Sequence, residues 1–117
     1  MKIPAEGKLL RIFVGEQDKW QGQPLFQAIV QIARREGLAG ATVLKGIMGF
    51  GRKSHLLTAT LFRLSEDLPI VIEIVDSEEK VNQFIPHLDE MVRDGLVTLE
   101  RAQVIMYRAG SIEKPHA

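Results

Sequence analysis

Leu68-Pro69-Ile70-Val71-Ile72-Glu73-Ile74-Val75-Asp76 is the stretch that decides the fold. Side chains alternate across a strand with a period of two. Ile70, Ile72 and Ile74 therefore share one face, and Val71, Glu73 and Val75 share the other. The Asp-Ser pair that follows is a helix-start signal. Asp76 and Glu79 have capping-box spacing, with Ser77 as a rival cap. Val81, Phe84, Ile85, Leu88, Met91 and Val92 then recur at helical spacing. Pro86 falls inside that helix and removes a donor, which predicts a kink or bend. Asp94-Gly95 ends the helix, residues 97–107 read as a last strand, and residues 109–117 as a flexible tail.

Reading upstream, about twenty residues separate the 68–76 strand from an earlier one at 41–48, far more than a tight hairpin needs. Leu56 to Leu64 alternates like a strand, so the connection is expected as a long loop or an extended ribbon. Before it, Pro24 suits the first turn of a helix carrying Leu25, Ala28, Ile29, Ile32 and Ala33 on one face. Arg34 and Arg35 complement its dipole and Gly37 stops it. Residues 16–23 form a polar loop whose lone Trp20 is read as a cap over the core edge rather than a ligand platform. Residues 8–15 are the first strand, with Leu10, Ile12 and Val14 on one face and Leu9, Arg11 and Phe13 on the other.

The order β-α-β-β-α-β with right-handed crossovers predicts an α+β, ferredoxin-like sandwich, one antiparallel sheet with two helices on one face. The first and third strands then sit side by side at its centre. Leu10, Ile12, Val14, Ile70, Ile72 and Ile74 face the helices, and Arg11 can pair with Glu73 on the opposite face. That second face also carries Leu9, Phe13, Val71 and Val75, so an oligomer is expected to cover it.

Bulk composition narrows the function classes. The 117 residues form a single domain, 1–117, with a core of about 7–108. Fifteen basic and fifteen acidic residues cancel, which argues against a generally cationic nucleic-acid binder. With no cysteine there is no disulfide, thiolate nucleophile or Cys-type zinc site, and His55, His87 and His116 show no ligand spacing. The chain shows no signal peptide or membrane span, so a cytoplasmic protein that is not itself membrane-inserted is expected. Glu66, Asp67 and His55 share the long loop, but no nucleophile–base grouping can be read, and the chain is expected not to be an enzyme.

One stretch suggests chemistry: Lys45-Gly46-Ile47-Met48-Gly49-Phe50-Gly51-Arg52-Lys53-Ser54-His55. Gly46, Gly49 and Gly51 permit positive φ, so consecutive amides could line an anion-binding concavity, with Arg52 and Lys53 at its lip. The competing reading is structural, a bulge at Gly46 and a turn at Gly49 and Gly51.

These residues carry a family resemblance. Gly40-Ala41-Thr42-Val43, Gly46-Ile47-Met48-Gly49-Phe50-Gly51 and Ser65-Glu66-Asp67-Leu68-Pro69 running to Asp76 resemble the small uncharacterised PII-like family, relatives of the PII nitrogen-regulatory proteins. The likeness covers nearly all of residues 7–110. Against true PII proteins, Gly49-Phe50-Gly51-Arg52 with His55 resembles the base of the T-loop, the regulatory excursion between the second and third strands. Asp94-Gly95 resembles part of the B-loop, and Ile105-Met106-Tyr107-Arg108 the arginine-bearing end of the last strand.

The resemblance implies a homotrimer with nucleotide sites in the clefts between subunits. Its ligand-binding residues would be Lys45, Gly46, Gly49, Phe50, Gly51, Arg52, Lys53, Gly95 and Arg108. It also implies a regulated partner, such as a membrane transporter or channel, reached through the 49–68 loop. Two cations of the PII pattern are replaced by Leu96 and Met106, and the magnesium-associated glutamine is missing from Arg52-Lys53-Ser54-His55. A triphosphate needs several fixed cations or a metal, so an adenine nucleotide such as AMP or ADP is expected ahead of Mg-ATP. The alternatives are a ligand-free oligomeric scaffold and a divalent-metal-binding trimer of the copper-tolerance type.

Overall fold

The computed structural model describes residues 6–51 and 67–110. Its elements are β1 (Glu6–Gly15), β2 (Lys19–Trp20), β3 (Gln23–Pro24), α1 (Leu25–Arg35), β4 (Thr42–Lys45), β5 (Pro69–Asp76), α2 (Glu78–Met91) and β6 (Leu96–Gln103). The main sheet is antiparallel with strand order β4-β5-β1-β6, and both helices lie on one face. This is the α+β, ferredoxin-like sandwich, with one small addition. The polar loop after β1 holds a β2–β3 hairpin whose turn residues Gln21 and Gly22 have φ of 51° and 82°. Two consecutive positive φ values match a two-residue type I′ turn, which suits the twist of paired strands.

The central pair sits as the alternation demands. Leu10 faces Ile74, Ile12 faces Ile72 and Val14 faces Ile70, all buried under the helices. Ala28, Ile29 and Ile32 of α1 and Val81, Phe84 and Leu88 of α2 close the core. Trp20 is half-buried and packs on its edge, as a cap does. The helices cover the middle of the sheet better than its edges, so Val43 and Val97, in the same row as Ile12 and Ile72, remain exposed.

The opposite face is a sequence of cross-strand rows. Leu44, Val71, Phe13 and Leu96 form an apolar row across all four strands. Thr42, Glu73, Arg11 and Thr98 form the next, and Val75, Leu9 and Glu100 the third. Arg11 Nε donates to Glu73 Oε2 at 2.9 Å, the pairing expected from the strand order, and Nη1 donates to Glu100 Oε2 at 2.9 Å. The hydrogen bond to Glu73 is the main reason the guanidinium is held above its ordinary pKa.

Several boundaries differ from expectation. Pro24 is not in the first turn; it is the N-cap of α1, with ψ of 132°. The end of α1 is as read: Gly37 adopts φ of 81°, its N–H donates to Arg34 O, and the Leu38 N–H donates to Ala33 O. That pair of bonds is a Schellman stop. Asp76 does not cap α2. Ser77 does, accepting from Lys80 N at 3.2 Å, while buried Asp76 accepts from the Ser77 and Ala39 amides. Asp76 faces inward because it continues the buried side of β5, and that holds it on the α1–β4 connection. The helix runs on through Pro86. β4 is shorter than 41–48, and β6 ends at Gln103, paired with Glu6, rather than at 107. The expected ribbon at 56–64 and residues 111–117 of the expected tail lie outside the described residues.

Candidate functional site

The order of the strands places the candidate residues. The C-terminal ends of β1 and β4 and the N-terminal ends of β5 and β6 meet at one end of the sheet, here the upper end. Lys45, Gly46, Gly49, Phe50 and Gly51 leave the sheet there from β4. Gly95 enters β6 at the same end, but on the other edge. Three strand spacings separate those edges, about 14 Å. Arg108 belongs to the lower end. Tyr107 Oη donates to Ala39 O at 3.1 Å, and Ala39 is bonded to Asp76, which pairs with Lys8 near the start of β1. Eight strand residues at about 3.3 Å each separate the two ends. One copy of the chain therefore does not bring Arg108 to Lys45. Arg52 and Lys53 lie outside the described residues.

The glycines have a different role from the one their residue type suggests. Among the described glycines only Gly22, Gly37 and Gly110 have positive φ, so Gly46, Gly49 and Gly51 do not build a concavity through left-handed backbone. Close approach explains two of them. A Cβ on Gly46 would stand 2.8 Å from Pro69 Cγ, and one on Gly49 2.9 Å from the same atom. The chain leaving β4 lies flat on the Pro69 ring, tied by Gly46 N–H to Pro69 O at 2.8 Å. Ile47, Met48 and Phe50 consequently point outward, 94%, 79% and 75% exposed. Gly95 is also a close-approach position, since a Cβ there would meet Phe13 O at 2.5 Å.

Charge at the upper end is not simply basic. Lys45 Nζ is paired with Glu16 Oε2 at 2.8 Å. Asp18 Oδ2 accepts from the Gly15 N–H, and Asp67 Oδ1 accepts from the Gln17 N–H. Glu16, Asp18 and Asp67 thus surround the turn that Lys45 reaches. Sequence reading missed Glu16, because only the β1–β5–β4 register brings it to Lys45. It also missed a cleft of about 380 Å³ between the β2–β3 hairpin and the α2–β6 turn, lined by Trp20, Leu25, Met91, Glu90, Arg93 and Asp94 among others. Its charged residues are of both signs. Among the described residues there is no group of three or more His, Asp or Glu side chains fit to hold a metal. None of the described helices is long and apolar enough to cross a membrane.

A ferredoxin-like sandwich with a long connection between its second and third core strands is the PII-like fold. Solved structures bear out the fold. CPII from Thiomonas intermedia K12, a structure bound to ADP and bicarbonate, superposes with a TM-score of 0.63 at 21% identity, covering 85% of this chain and 88% of that one. A putative PII-like signaling protein from Thermus thermophilus gives 0.60 at 19% identity, covering 86% and 91%. Sequence comparison shows the family. Residues 7–104 match DUF190, described as "Uncharacterized ACR, COG1993", and the chain belongs to that family. A UPF0166 protein of Aquifex aeolicus (strain VF5) is 40% identical over 98 residues, 84% of this chain and 92% of the relative.

Proposed function

We propose that this protein is a PII-like regulator that assembles as a homotrimer and binds an adenine nucleotide, AMP or ADP ahead of Mg-ATP, in the clefts between copies. One observation carries the reading: the candidate ligand residues divide between the two ends of a single copy, Lys45 to Gly51 and Gly95 above, Arg108 below. A second copy with its lower end beside the upper end of the first would unite them. The apolar row Leu44, Val71, Phe13 and Leu96 supplies a surface for such contact. CPII, the neighbour named above, was solved with ADP, which supports an adenine nucleotide as the first ligand class to test. Arg52, Lys53 and Arg108 would hold its phosphates.

In this reading the protein is a cytoplasmic sensor rather than an enzyme. Ligand binding would change the 49–68 loop, and the loop would dock on a partner, such as a membrane transporter or channel. A ligand must distinguish two states of the loop for this to work. Thermal unfolding against adenine and guanine nucleotides, with and without magnesium, tests the proposal. A nucleotide at a hundred times its Kd should add about 2.7 kcal/mol of stability, and Arg52→Ala with Arg108→Ala should remove the gain. No stabilisation by any nucleotide at millimolar concentration overturns it.

The ligand-free oligomeric scaffold has one observation in its favour. Gly46 and Gly49 are accounted for by contact with Pro69, without any ligand. The same titration decides between the two readings.

A further inference from the structure

The turn after β1 touches both roots of the excursion. The Glu16 N–H donates to Leu68 O at 2.9 Å and the Gln17 N–H to Asp67 Oδ1 at 3.0 Å, on the returning side. On the departing side, the Glu16 carboxylate holds Lys45 Nζ at 2.8 Å. The two partners are unequally free. The Glu16 side chain is 26% exposed and its backbone is tied to Leu68, whereas the Lys45 side chain is 53% exposed. An anion that takes Lys45 must therefore draw it from a carboxylate that stays close by. That carboxylate, with Asp18 and Asp67 around the same turn, then repels the incoming charge.

We propose that Glu16 is a specificity-determining residue of the anion site, weighing against a doubly charged phosphate group relative to singly charged anions. The inference rests on the nucleotide reading, since only there does Lys45 serve a ligand. Any anion that takes Lys45 leaves the Glu16 charge without its partner, a loss that is the same for a carboxylate, bicarbonate or phosphate. A terminal phosphate carries about −1.5 to −2 at neutral pH, so the nearby carboxylate repels it more than it repels an anion with a single charge. Glu16 acts through Lys45, not by contact with the ligand.

The test is calorimetric titration of ADP into the wild-type protein, Glu16→Gln, Lys45→Met and the double variant, with folding of each checked by its unfolding transition. Glu16→Gln should tighten ADP up to about fivefold, the scale of an exposed ion pair. The gain should vanish when Lys45 is already methionine, as coupling through one residue requires. In competition against bound ADP, the potency of inorganic phosphate relative to acetate should rise in Glu16→Gln, and a fall overturns the role of Glu16. Unchanged or weaker ADP binding in Glu16→Gln overturns the role of Glu16 and leaves the nucleotide reading standing. So does a gain that persists with Lys45→Met. Absence of ADP binding in both the wild type and Glu16→Gln overturns the nucleotide reading and this inference with it.

Discussion

Gly95 shows how packing alone can require a glycine at a position also read as a ligand contact. Its missing side chain lets the start of β6 approach the Phe13 carbonyl, where a Cβ would stand at 2.5 Å, with Val92 Cγ1 at 3.0 Å. The obstacle at 2.5 Å is backbone and cannot rotate away. Gly95→Ala should therefore lower stability by about 1–3 kcal/mol, the usual cost of overpacking. Urea unfolding checks it, and an unchanged midpoint would show that the strand can shift at no cost. Gly46 and Gly49 are gentler cases, because their neighbour is the Pro69 ring. Residue type alone did not reveal these roles. A glycine in sequence says that a side chain is absent, not whether the absence serves positive φ or close approach. The Arg11–Glu73 pair was legible, since strand order alone makes the two neighbours. The third member, Glu100, depends on where β6 starts along β1, which the pattern of residues does not fix.

At the level of elements, periodicity was a sound guide to type and a poorer one to ends. Alternation does not fix strand ends: β6 stops at Gln103, whatever the pattern of residues beyond it. The β2–β3 hairpin escaped notice because two-residue strands carry no period, although Gly22 at a turn position was the available signal. α2 illustrates a compromise between propensity and packing. Pro86 lies inside it without ending it, because Phe84, Leu88 and Met91 on either side are buried in the core and hold the helix to the sheet. Pro86 cannot donate to the carbonyl one turn back, and both Pro86 and Asn82 face solvent. Interior proline costs a helix about 3 kcal/mol. Pro86→Ala should raise stability by about 1–2 kcal/mol, read as a higher midpoint in thermal or urea unfolding. A lower midpoint would mean that the proline fits a bend on which the packing depends.

Among the described residues, one sheet face is covered by the helices and the other is not. The hydrophobic pattern tells which is which, and it places the core. It does not locate the site, because a site shared between copies, as proposed above, would leave only fragments in each chain. Lys45 to Gly51, Gly95 and Arg108 fall into two groups at opposite ends of a sheet, and nothing in their spacing announces the division. The central claim is that the open faces bring these groups together across copies. Complementation between two defective variants is its most direct measurement. One variant carries Lys45→Ala with Arg52→Ala, the other Arg108→Ala, and ADP binding is measured for each alone and after co-expression. The account predicts little or no binding by either variant alone and recovered binding in the mixed assembly, where intact upper and lower ends meet. A mixed assembly that binds no better than its components, beside a wild type that binds, would contradict it.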